Sequence, residues 1–202
     1  MTYLDIIKKS CNDIIIKNND KERYLNEKSV QMKLAFDIWK EKNIEPELEK
    51  CFNYKSIDKT YTDIFIKDKI KIGVEIKFKT KKVEGYEYIN QGAQTNGKLN
   101  SVIDIKRLLE LKKKKEIDSG FFIFISNDYL YWKKSRIGKT NSHEYSFENE
   151  KKIKTKFKEP NWSSRTYSDE IDLTEIKTEK ILWNGEDNGI NKNSFRYFIV
   201  EV

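Results

Sequence analysis

The sequence predicts an α/β protein with a central mixed β-sheet flanked by helices. Three observations carry this expectation. The runs TDIFI and IKIGVEIKFKT are apolar and β-branched, and only the polar turn KDK splits them, which is a hairpin signal. A helical pattern follows over residues 89–115. FFIFISND, residues 121–128, is then a continuous apolar run of the kind found in a strand buried on both faces. A helix between the hairpin and that strand gives a right-handed crossover onto the same sheet.

Taken in chain order, residues 2–17 read as a short helix with Leu4, Ile7, Cys11, Ile14 and Ile15 on one side. Residues 22–42 read as a second helix, its apolar face carried by Tyr24, Leu25, Met32, Leu34, Ala35, Phe36, Ile38 and Trp39. PELEKCFNY, from Pro46, alternates in character and reads as a strand, so that residues 46–80 form a three-strand meander. The helix at 89–115 repeats Leu99, Val102, Ile103, Ile105, Leu108, Leu109 and Leu111, and Asp118, Ser119 and Gly120 end it. Residues 129–180 are charge-rich, sprinkled with aromatics and without a clear period. ILW (181–183) and FRYFIVEV (195–202) read as two late strands, which makes the C-terminal part integral to one domain spanning 1–202.

Composition narrows the function classes. Of the chain, 36% is charged and 13% aromatic, too aromatic for a disordered polymer and polar enough for an extensive wet surface. Lysine and arginine outnumber the acids 40 to 33, a net +7 that leans toward polyanions. Cys11 and Cys51 lack CxxC spacing and read as reduced, buried thiols of a cytoplasmic protein. Those two cysteines and the single His143 exclude an ordinary structural zinc site of the Cys/His type, and the same scarcity argues against HNH-type, His-Asp phosphatase or serine–histidine chemistry. No signal peptide is visible, and no apolar run approaches a membrane span. The GxxxxG fragment from Gly92 to Gly97 lacks a preceding strand, so it is not a phosphate loop.

The chemistry lies in TDIFIKDKIKIGVEIKFKT, Thr62 to Thr80. Side chains alternate along a strand, so Glu75 and Lys77 point one way and Ile76 the other. Asp63 lies in the partner strand, and pairing 62–66 with 72–78 brings it beside Glu75-Ile76-Lys77. Two carboxylates and an ammonium then converge on one part of a sheet. Close carboxylates repel unless a cation lies between them, and oxygen ligands of this kind suit Mg²⁺ or Mn²⁺. A lysine beside them can orient or deprotonate a water, or offset charge developing on a phosphate. The structural alternative is a cross-strand ion pair on an exposed sheet face, worth under about 1 kcal/mol.

An acid in one strand followed by acid-x-lysine in the next resembles the PD-(D/E)XK nuclease superfamily, the restriction-endonuclease-like fold. The resemblance covers about residues 22–128, and the order helix, strand, hairpin, helix, strand agrees with it. Thr62 stands where the family's name has proline. The resemblance implies a metal-dependent nuclease acting on DNA, with Asp63, Glu75 and the backbone carbonyl of Ile76 as ligands of Mg²⁺ or Mn²⁺ and Lys77 acting on the attacking water. It implies that Glu27, on the first core helix, is an accessory ligand or steers Lys77. Glu49 or Glu47 would join from the first strand, and Gln91 or Gln94 from the start of the next helix. Cutting both strands of a duplex takes two active sites, which is compatible with a homodimer. A binding or scaffold protein that keeps the fold without cleaving is the rival reading.

Lys133, Lys134 and Arg136 follow the strand FFIFISND and are candidates for phosphate contact. Trp132, Trp162, Arg165 and Tyr167 are candidates for base stacking or phosphate tracking, against the commoner role of aromatics in packing.

Overall fold

The structure is a computed structural model that describes residues 1–20, 24–52, 60–134, 145–158, 170–185 and 194–202. Two helices open the chain. In α1 (Tyr3–Asn19), the Thr2 hydroxyl accepts from the Asp5 amide and Asp5 answers to the Thr2 amide, a reciprocal cap. Asn26 and Ser29 do the same at the start of α2 (Glu27–Lys42), which ends at Asn43 in a left-handed conformation. That cap explains why α2 begins at Glu27, inside the 22–42 expected, with residues 21–23 outside the described part. α2 presents only Val30, Gln31, Leu34, Ala35 and Ile38 inward. Met32, Phe36 and Trp39, expected on its apolar face, lie on the opposite side of the helix and are exposed, because one helical stripe is all that a sheet can cover.

The larger sheet has five strands, in the spatial order 47–52, 60–67, 71–79, 119–126 and 196–201. β1 (Glu47–Phe52), β2 (Thr60–Lys67) and β3 (Lys71–Lys79) form the antiparallel meander. The helix α3 (Gln94–Lys113) then crosses over to β4 (Ser119–Ser126), which pairs parallel to β3. β7 (Arg196–Glu201) closes the far edge, antiparallel to β4. A separate two-strand ribbon joins β5 (Lys156–Lys158) to β6 (Glu170–Asp172). The chain is therefore α/β with a mixed sheet. No helix among the described residues is long and apolar enough to cross a membrane.

Two expected elements are corrected. α3 does not start at 89: Ala93 is left-handed (φ 62°), and before it the chain folds back on Thr80, whose hydroxyl donates to the Ile89 carbonyl and whose carbonyl accepts from the Gln91 amide. ILW is not a strand. Asn184 makes a lone bridge to Tyr197, while the Trp183 indole is buried and donates to the Phe147 carbonyl at 2.6 Å. Cys11 is buried as expected, but Cys51 is half-buried.

The pleat sorts side chains into two cores. Ile64, Ile66, Ile72, Val74, Ile76 and Phe78 pack with α1 and α2. Phe65, Phe122, Phe124, Phe198 and Val200 pack with α3 and the C-terminal segments. Each such fully buried side chain contributes about 1.5–3 kcal/mol. Glu75 and Lys77 alternate with Val74, Ile76 and Phe78, so they face α3. Gly73 and Gly120 are register partners on that same face. A Cβ on Gly73 would lie 3.2 Å from side-chain atoms of Leu108 and Ile117, and one on Gly120 would lie 2.6 Å from Val202. The missing side chains let α3 settle close to the sheet, bringing the middle of the helix onto Glu75 and Lys77.

Candidate active site

The site forms where the β2–β3 pairing gives out. The last paired residues are Ile64 and Val74, and beyond them β2 no longer covers the edge of β3. The backbone amides of Ile76 and Phe78 would be left without acceptors, which is costly in a buried sheet. Carboxylates satisfy both. Asp63 Oδ2 accepts from the Ile76 amide at 2.6 Å, and Glu27 Oε2 accepts from the Phe78 amide at 3.2 Å. A strand residue aims its N–H and C=O at the same edge, so the Ile76 carbonyl opens onto the same gap.

The β1–β2 ladder is interrupted at the same level. Leu48 pairs with Ile64 and Lys50 with Thr62, while Glu49 between them adopts φ 51°, in the left-handed region that costs a non-glycine residue about 1–2 kcal/mol. Gln31, buried on α2, donates to the Asp63 carbonyl and, at 3.0 Å, to Glu49 Oε1. Lys28 pairs with the same Glu49 carboxylate. Of the two acids left open in β1, Glu49 thus reaches the site, whereas Glu47 pairs with Lys50.

On the α3 side the charges form a chain. Glu75, 1% exposed, is held by both ends of the Arg107 guanidinium, Nε to Oε1 at 3.1 Å and Nη2 to Oε2 at 2.6 Å. Arg107 Nη2 also lies 2.9 Å from Asp104 Oδ1, one turn back on α3. The other Asp104 oxygen lies 2.9 Å from Lys77 Nζ, and Lys77 Nζ lies 4.0 Å from Glu27 Oε1. Arg107, Asp104 and Gln31 are site residues that sequence reasoning missed. Each sits at helical spacing among apolar residues turned toward the sheet, and that polar interruption of an apolar stripe was the available signal.

Burial dominates the electrostatics. It pushes the Asp63 carboxyl up to about 6, against the Ile76 amide, with the Glu27 charge adding to the rise and Lys77 opposing it. Burial also raises Glu75 well above the usual carboxylate range, although Arg107 pulls the other way. For Lys77, burial favours the neutral amine, but Asp104, Glu27 and Asp63 outweigh it and its pKa is raised. Lys77 is therefore a charged donor at neutral pH, suited to orienting a water or stabilising an anion and not to deprotonating either.

The other predicted residues are placed as follows. Gln94 is the first residue of α3 and donates to Asp128 Oδ2 at 2.8 Å, at the end of β4. Gln91 lies in the segment before that helix, not at its start. Lys133 and Lys134 are exposed just past β4, and Lys81 and Lys133 lie 5.2 and 5.0 Å from the ring of Tyr129. Trp132 packs on Trp183 and under Arg196, which makes it part of the core boundary. Arg136, His143, Trp162, Arg165 and Tyr167 lie outside the described residues.

The donor set fits a hard divalent cation in kind. Asp63, Glu75 and the Ile76 carbonyl offer oxygen only, and burial raises the pKa of both carboxyls, which added positive charge would oppose. Among the described residues no three His, Cys, Asp or Glu side chains converge as a ligand cluster. Both oxygens of Glu75 are also already engaged by Arg107. Comparisons with protein-family models, with curated proteins and with solved structures find no match.

Proposed function

We propose that this chain is a metal-dependent nuclease with a restriction-endonuclease-like core, hydrolysing phosphodiester bonds of DNA. The observation that carries the reading is the gap beyond Ile64 and Val74, where Asp63 and Glu27 accept from the open amides of Ile76 and Phe78 and Glu27 lies 4.0 Å from Lys77, with the buried Glu75 one residue before Ile76 on the same strand. A solvent-facing ion pair needs no such interruption and leaves no carboxylate buried against its own charge.

Asp63, Glu75 and the Ile76 carbonyl would hold Mg²⁺ or Mn²⁺. A divalent cation there supplies Lewis acidity toward the phosphate and acidifies a nearby water. Lys77 orients that water or takes up charge on the phosphate, and Asp104 and Glu27 fix where its ammonium points. Asp63 also holds the Ile76 amide, which fixes the carboxylate relative to the Ile76 carbonyl. Lys81, Lys133 and Lys134 at the end of β4, with Tyr129 between two of them, supply cations for the phosphate backbone.

One observation favours the rival reading of a non-cleaving, nucleic-acid-binding scaffold: Arg107 already satisfies Glu75. Incubating the protein with supercoiled plasmid, linear duplex and single-stranded DNA in Mg²⁺ or Mn²⁺ separates the two. The nuclease reading expects metal-dependent cutting, reduced at least about 10²-fold by Lys77→Ala and by Asp63→Ala. Binding of DNA without cutting in either metal supports the scaffold. Cutting that survives both substitutions places the chemistry elsewhere.

A further inference from the structure

Arg107 has no part in the hydrolysis outlined above, yet it is the most heavily engaged cation in the site. It reaches Glu75 with two donors and Asp104 with one of those two, at 3.1, 2.6 and 2.9 Å. Its partner Glu75 is sealed in, with 2% of its side chain exposed, while the Arg107 side chain is 31% exposed. The guanidinium thus enters from the solvent side, on a long arm from the middle of α3, and is the only one of the two that has somewhere to go. Charge gives it a reason to move. Four carboxyl groups of the cluster, Asp63, Glu75, Asp104 and Glu27, face two cations, Lys77 and Arg107, so the acids are in excess by two. A dication offsets that excess. It would also meet Arg107 at the same two Glu75 oxygens, and two cations at one desolvated carboxylate repel strongly.

We propose that Arg107 is a displaceable counter-ion of Glu75: it holds the carboxylate until a divalent cation takes it, and then, kept near by Asp104, it offers its fork to a phosphate oxygen of the substrate. The inference rests on the nuclease reading and adds a substrate-binding role that the acid-x-lysine pattern does not contain. The tether matters, because a guanidinium that left both acids would lose three charge-assisted bonds at once, whereas one pivoting on Asp104 keeps one. The planar fork matches two phosphate oxygens, which a lysine at the same place would not do.

Mn²⁺ binding at fixed pH, followed by calorimetry in the absence of DNA, tests the exchange. Arg107→Met should bind Mn²⁺ about tenfold more tightly than the wild type, since one competing charge is gone. With Ca²⁺ in place of Mn²⁺, the same variant should hold duplex DNA more weakly, with the slope of log affinity against log salt reduced by about one. Equal or weaker Mn²⁺ binding by the variant, beside a wild type that does bind, makes Arg107 a fixed strut and overturns the proposal alone. No Mn²⁺ binding by either protein overturns the nuclease reading as well. Should Arg107→Met not fold, the wild type answers by itself. The Nε–H resonance of Arg107 should move on addition of Mg²⁺ as the bond to Glu75 Oε1 breaks, and a resonance that stays put while Mg²⁺ binds overturns the exchange.

Discussion

Asp63 shows how a single residue can work against the fold that carries it. Its carboxyl is pushed from an ordinary 3.8 up to about 6, mainly by burial. Between those two pH values the folded protein binds more protons than the unfolded chain, so stability falls as pH rises through the window and stays lower above it. Asp63→Asn keeps an oxygen for the Ile76 amide and removes the charge. In EDTA at pH 7.5 it should therefore unfold at higher urea than the wild type, by on the order of 2 kcal/mol, while cleavage is lost. The difference should shrink toward zero below about pH 4, and a variant less stable than the wild type at pH 7.5 would contradict the assignment. Asp63, Glu75 and Lys77 were legible because strand alternation is local: two residues apart means one face. Arg107 and Asp104 were not, since a helical residue faces the sheet or the solvent according to how the helix is rotated, and DIKR reads as an ordinary polar turn until that is known. The choice between Glu47 and Glu49 was closed to the sequence for another reason. It turns on the left-handed backbone of Glu49, which no side-chain pattern announces.

At the scale of one element, α2 links a helix cap to the proposed chemistry. Glu27 is its first residue, directly after the cap Asn26, and its carboxylate reaches both the Phe78 amide and Lys77. Asn26→Ala should cost about 1 kcal/mol in urea unfolding, the usual worth of such a cap. Because the loss falls on the turn that carries Glu27, cleavage should drop by more than the small rise in unfolded fraction can explain, and Asn26→Asp should restore both. Cleavage unchanged in Asn26→Ala would detach Glu27 from the reaction. The hairpin and β4 were the most legible elements, as apolar runs bounded by turn residues. The edges of α2 and α3 were the least. Asn26 and Ala93 set them through backbone geometry, inside a stretch whose composition suits a helix on either side.

For the molecule as a whole, the sheet order followed from two local features, a tight hairpin and a long helical crossover, so the α/β class could be read before any coordinate. FRYFIVEV was rightly placed in the sheet as β7, but ILW was not a strand, because Trp183 turns inward to fill the core beside Phe124 and Phe198. The gap at the end of the β2–β3 ladder has one more consequence. In a central strand, backbone amides exchange with deuterium only when large parts of the molecule open. Ile76 and Phe78 lie in such a strand, yet each amide is shielded by one side chain, Asp63 or Glu27. Each amide is thus a private clock on one acid. Asp63→Ala should speed deuterium uptake at Ile76 and leave Phe78 slow, Glu27→Ala should do the reverse, and Phe122 in β4 should keep its pace in both. In the unmodified protein the same two amides report, without any substrate, when either acid turns away from the backbone toward something else.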